Sequence, residues 1–113
     1  MAYPMGSKEQ RKDLRVNSDL PARISIGSQL TVQGRLKDLS LTSAFITIKS
    51  SIFLKTGDVV GFAIQASSNN ADDLIEGLAS VFRIVAGEGL AVYFTKMDES
   101  SSDRLKKILY TRP

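Results

Sequence analysis

The fold that we predict for this chain follows from residues 30–48, LTVQGRLKDLSLTSAFITI. Apolar and polar residues alternate over residues 30–39, and residues 44–48 form a second, largely apolar run, as in strands that bury one face. The residues between the two runs are Ser40, Leu41, Thr42 and Ser43, and Ser and Thr side chains bond to nearby backbone in turns. We therefore expect two consecutive strands joined by a short turn.

Similar segments recur along the rest of the chain. Further strands are predicted over residues 22–26, 59–64, 74–85 and 90–94, separated by Gly-containing turns or, at residues 66–73, by a polar loop, with Gly77 as a bulge or bend. Leu105, Ile108 and Leu109 follow an acidic, Ser-rich segment at helical spacing. The predicted fold is mainly β: a six-stranded antiparallel β-barrel with a C-terminal α-helix and a flexible N-terminal arm. Residues 1–8 are predicted to be a flexible tail, and residues 9–113 the barrel domain with its helix.

The composition favours a binding module over an enzyme. The chain has 113 residues, of which 42% are hydrophobic, and it contains no His and no Cys. A Ser-His-Asp triad, a Cys-His pair and a Cys/His zinc site are therefore excluded, and we expect no catalytic residue, metal or cofactor. No run approaches the ~20 apolar residues of a membrane span, and no secretory signal is evident, so a cytoplasmic location is expected. Most of the 5 Phe residues lie in apolar strand contexts and are assigned to the core.

A basic segment precedes the first predicted strand. It contains Arg11 and Arg15, four residues apart. An arginine side chain pairs with phosphate through a planar fork, can bond the O6/N7 edge of guanine, and can stack on a base. Two such forks would suit a phosphorylated purine ligand, although the same residues also fit a solvated run of charges.

Asp38 and Ser40 form a second candidate pair. Two residues apart on a strand, they would point to the same face. A carboxylate accepts hydrogen bonds and suits the N1–H and N2–H donors of guanine, and a neighbouring hydroxyl can bond phosphate or base. The alternative is turn chemistry, in which both side chains bond local backbone.

Taken together, these motifs resemble those of the PilZ domain family. That family has R-x-x-x-R in an N-terminal loop, matched here by Arg11 and Arg15, and then [D/N]-x-S-x-x-G, matched by Asp38 and Ser40, with Ser43 in place of the glycine. The resemblance implies a bacterial receptor for cyclic di-GMP (c-di-GMP). It implies that the arginines wrap over the nucleotide, that Asp38 and Ser40 contact a guanine, and that Ser43 lies at the same site.

The resemblance also implies a partner. A nucleotide-dependent change of surface would be detected by a downstream protein that the sequence does not identify. Ser43 leaves open a second function, a PilZ-like adaptor that no longer binds nucleotide and acts on motility or pilus machinery. A barrel for single-stranded nucleic acid is disfavoured, since the net charge is only +3 and exposed aromatic residues are scarce, so neither DNA nor RNA is expected as a partner.

Overall fold

The computed structural model describes residues 15–27, 30–48, 54–67 and 72–111. Within these ranges the elements are β1 (Val16–Asn17), β2 (Pro21–Ile26), β3 (Leu30–Leu39), β4 (Ser43–Thr47), β5 (Val59–Gln65), β6 (Leu74–Val85), β7 (Gly89–Met97) and α1 (Glu99–Thr111). The six predicted strands and the helix are confirmed, with ends that differ by a few residues. The predicted flexible tail and the arm that carries Arg11 lie outside the described residues.

Six of the strands close into a barrel. Their order is β3-β2-β5-β6-β7-β4, and β4 pairs again with β3, so no strand of the ring has a free edge. Every pairing is antiparallel. The short β1 adds to the β2 side of β3, because Asp38 pairs with Asn17 on one side and with Phe45 on the other. The predicted fold class is therefore confirmed, and β1 is an addition too short to show a periodic pattern.

The barrel interior is the hydrophobic core. Alternate residues of each strand point inward, and one face of α1 adds Leu105 and Leu109, which are 2% and 4% exposed. Arg104 fastens the helix to the start of β6 through its Nη1 donor on the Leu74 carbonyl, at 2.8 Å, and through an ion pair with Asp73. Buried Ser101 adds a third link, since its Oγ accepts from the N–H of Glu76 at 3.0 Å.

Gly77 marks a close approach between β6 and β7. It stays in register with Phe62 and Met97, and the shift of the β6–β7 register follows between Leu78 and Ala79. A Cβ at Gly77 would overlap the carbonyl oxygen of Lys96. The glycine predicted as a bulge or bend therefore lies beside a bulge, and it is required by the neighbouring backbone.

Candidate functional site

Asp38 reaches the outer wall of the barrel because β3 is irregular. Leu36 and Leu39 are both buried in the core although they are three residues apart. The register shifts between Leu36 and Asp38, so Lys37 is the extra residue of a β-bulge. Asp38 then pairs with Phe45 and shares the outer face with it, and the Asp38 side chain stays 26% exposed.

A second bulge shapes the opposite side of the site. On β6, Val81 pairs with Val92 and Arg83 pairs with Ala91, which leaves Phe82 as the extra residue. Neighbouring side chains at a bulge depart from strict alternation, and here Phe82 and Arg83 are both exposed. The Phe82 ring stacks on the exposed ring of Tyr93, with 4.0 Å between centroids.

A cleft of about 290 Å³ lies between these two bulges. The pairing register places Asp38, Phe45, Ala91 and Arg83 in one row across β3, β4, β7 and β6, which explains why they converge. The cleft is lined by Arg15, Asp38, Ala44, Phe45, Phe82, Arg83 and Ala91. It combines two guanidinium groups, one carboxylate and aromatic rings around small alanines, a set suited to a planar anionic ligand.

Arg15 closes one side of the cleft. Its Nη1 donates to Asp38 Oδ1 at 2.6 Å, and its Nη2 donates to Ser43 Oγ at 2.7 Å. The guanidinium thus joins the segment before β1 to the end of β3 and the start of β4. Three of the predicted site residues are brought into direct contact.

Ser40 lies beneath this contact in the turn between β3 and β4. Its Oγ accepts hydrogen bonds from the N–H groups of Thr42, at 3.3 Å, and of Ser43, at 3.1 Å. Ser40 and Ser43 are each 2% exposed. Because β3 ends at Leu39, Ser40 does not share the outer strand face with Asp38, and its observed bonds are those of the turn alternative.

Sequence reasoning missed Phe82, Arg83 and Phe45 as candidate site residues. Their segments are apolar enough to suggest core strands, and Phe62 is indeed in the core. Phe82 is instead 37% exposed, and Phe45 is half-buried with the Nζ of Lys37 5.6 Å from its ring centroid. The spacing of Leu36 and Leu39 was an available signal for the β3 bulge, because a regular strand cannot bury both.

The described residues contain neither a cluster of metal-ligating side chains nor a helix of the length and apolarity needed to cross a membrane.

Comparison with known proteins identifies the family. A family model described as the PilZ domain matches residues 9–111, and the chain belongs to that family. No curated protein sequence matches the chain.

Solved structures share the fold at low sequence identity. The Bacillus subtilis inhibitor of motility MotI/DgrA superimposes with a TM-score of 0.72 at 13% identity, over 85% of this chain and 47% of that one. This chain therefore spans about half the length of MotI. The PilZ domain of YcgR from Escherichia coli, solved with c-di-GMP, gives 0.68 at 15% identity over 86% of each chain. The PilZ domain of CeSA from a cellulose-synthesizing bacterium gives 0.63 at 14% identity, over 85% of this chain and 94% of that one.

Proposed function

We propose that this protein is a receptor and adaptor for c-di-GMP in bacterial second-messenger signalling, with no catalytic activity of its own. The observation that carries the proposal is the Arg15–Asp38 pair at the mouth of a cleft that also holds Arg83 and the rings of Phe45 and Phe82. Family membership supports it, and so does the c-di-GMP found with the PilZ domain of YcgR, a structural neighbour.

Each part of the cleft matches a part of the ligand. Asp38 offers carboxylate oxygens to the N1–H and N2–H donors of a guanine. Arg15 and Arg83 offer guanidinium forks to the phosphates or to the Hoogsteen edge of the base. Phe82 supplies a flat face on which a purine can stack. Ser40 holds the turn that positions Ser43, and both belong to the proposed site.

The proposed response involves the segment before β1. Arg11 and Arg15 would close over the nucleotide together, and the rearranged segment would present a new surface to a downstream protein. Ordering a chain segment costs about 1–2 kcal/mol per residue, which the charged contacts must exceed. The domain over residues 9–113 would act in the cytoplasm, with neither DNA nor RNA as its ligand.

Substitution of Asp38 tests the proposal directly. By calorimetric titration we expect wild type to bind c-di-GMP and not GMP, and Asp38→Ala to bind at least about tenfold more weakly, since hydrogen bonds to charged groups contribute about 1.5–3 kcal/mol. Asp103→Ala removes an exposed carboxylate on α1 and should bind like wild type. Equal affinity of Asp38→Ala and wild type would contradict the assignment of Asp38.

A second function, a nucleotide-free adaptor, is favoured by one feature of the turn. The Ser40 hydroxyl is occupied by backbone N–H groups, and Ser43 replaces the glycine of the family motif. Such a protein would bind a partner, such as a component of motility or pilus machinery, without a nucleotide. Amide spectra that do not change at millimolar c-di-GMP, together with recovery of a specific partner, would select this function.

A further inference from the structure

Both arms of the Arg15 guanidinium are engaged on the wall of the proposed site. One nitrogen bonds Asp38 Oδ1 at 2.6 Å, and the other bonds Ser43 Oγ at 2.7 Å. Arginine has donors only, so the Ser43 oxygen is the acceptor in the second bond. A planar fork held at two points is restricted in rotation, although 47% of the Arg15 side chain is exposed.

The Ser43 hydroxyl is itself fixed in place. The Oγ atom of Ser40 accepts from two backbone N–H groups, which use its two lone pairs, so Ser40 donates its own proton within the turn. The acceptors within reach are Ser43 Oγ at 3.1 Å and the Ser43 carbonyl oxygen at 3.3 Å. Ser43 is 2% exposed, so burial and the contact with Ser40 restrict its oxygen beside Arg15.

This contact competes with the proposed ligand. The two N–H donors on one edge of guanine need both oxygens of a carboxylate, and Arg15 already occupies Oδ1 of Asp38. A guanine that pairs with Asp38 competes with the guanidinium for the lone pairs of Oδ1. The bond to Ser43 makes displacement of the guanidinium harder, because it holds Arg15 at a second point.

We propose that Ser43 is a positioning residue that holds Arg15 on Asp38 in the ligand-free protein and thereby weakens nucleotide binding. This inference rests on the proposed function, and it assigns to Ser43 the role of setting the affinity of that site. A glycine or alanine at this position would leave Arg15 free to move onto the nucleotide.

Two substitutions distinguish the effect of the Ser43 hydroxyl from the effect of its Cβ. Ser43→Ala removes the acceptor and keeps Cβ, whereas Ser43→Gly removes both. We expect both variants to bind c-di-GMP about tenfold more tightly than wild type, because each loses a hydrogen bond to a charged group. Thr42→Ala removes the exposed hydroxyl next to Ser43 and should leave affinity unchanged.

The ligand-free protein supplies a readout that a merely structural role would not change. In ¹⁵N spectra the Arg15 guanidinium signals, assigned by their loss in Arg15→Lys, should show hindered rotation in wild type and averaging in Ser43→Ala. The wild-type spectrum needs no substitution at Ser43, so the test survives if a substitution at this buried position prevents folding.

Several results would overturn the inference. Averaged Arg15 signals in wild type would show that the contact does not hold the side chain. Tighter binding in Ser43→Gly alone would assign the effect to Cβ, and weaker binding in Ser43→Ala would make the hydroxyl a ligand contact. Unchanged affinity in Ser43→Ala with freed Arg15 signals would overturn the role of Ser43 and leave the proposed function standing. If no variant binds at millimolar c-di-GMP, the proposed function fails, and the role of Ser43 in setting affinity fails with it.

Discussion

Phe82 is an apolar side chain on the outside of the barrel, and its position is informative. Its neighbour Val81 is 1% exposed, whereas Phe82 is 37% exposed and stacked on Tyr93. Burial of the ring therefore contributes less to folding than burial of a core phenylalanine. Its place in a cleft beside Arg83 fits contact with a flat ligand better than a purely structural role.

Truncation of Phe82 should weaken ligand binding. We expect Phe82→Ala to weaken c-di-GMP binding about fivefold or more, since stacking contributes about 1–3 kcal/mol per base. Phe82→Tyr keeps the flat ring and should bind like wild type. Val59→Ala is the control. It shortens a different exposed apolar side chain, which lies on β5, and should leave the affinity measured by calorimetry unchanged. Unchanged affinity in Phe82→Ala would remove the ring from the proposed site.

At the scale of single elements, the start of α1 is fixed by a carboxylate. Asp98 Oδ1 accepts from the backbone N–H of Ser101 at 2.8 Å, and this bond, reinforced by the Ser101 side chain, holds the pKa of Asp98 below its ordinary 3.8. A carboxylate at this position also interacts favourably with the positive end of the helix. The cap therefore stabilises the folded state mainly in its ionised form.

The cap predicts a pH dependence with a definite sign. Because the pKa of Asp98 is lower in the folded state, its stabilising effect is present above pH about 4 and is lost as pH falls through the folded pKa. We expect Asp98→Ala to lower the melting temperature at pH 7 and to approach wild type near pH 2. Asp103→Ala, which removes another carboxylate of α1, is the control. A difference in melting temperature between Asp98→Ala and wild type that does not change with pH would contradict the role of the Asp98 charge.

The approach of β6 to β7 gives a prediction for a pair of glycines. Gly77→Ala forces a Cβ onto the Lys96 carbonyl and should lower the free energy of unfolding by about 1–3 kcal/mol, the usual range for overpacking. Gly61→Ala is the matched control, because its Cβ would meet Ser25 Cβ at an ordinary 3.4 Å. Urea unfolding of both variants measures the difference, and equal stability would show that the strands separate without penalty.

At the scale of the whole molecule, the closed barrel acts as a rigid support for the cleft. Four strands contribute side chains to one row across the outer wall, and their register is set by continuous pairing around the ring. Arg15 adds the contact that links this row to the segment before β1. A ligand in the cleft would therefore bridge the barrel and that segment.

Ligand binding should raise the stability of the whole domain. A ligand that binds only the folded state at one hundred times its Kd adds about 2.7 kcal/mol, which raises the melting temperature of a domain of this size by about 10 °C or more. Differential scanning calorimetry with c-di-GMP would measure the shift. Asp38→Ala should show a much smaller shift at the same concentration, and an equal shift in both proteins would place the ligand elsewhere.

Sequence alone predicts the six strands of the barrel, the order of the turns, the C-terminal helix and the residues that match the family motifs. These features depend on local periodicity and on residue types, which can be recognised without knowing which residues lie on the neighbouring strands. The two bulges were decided by tertiary structure, because the register of a strand depends on both of its neighbours. They place Asp38, Phe82 and Arg83 around one cleft. The contact of Arg15 with Asp38 and Ser43 joins residues 23 and 28 positions apart, and the pairing of β1 with β3 brings them together.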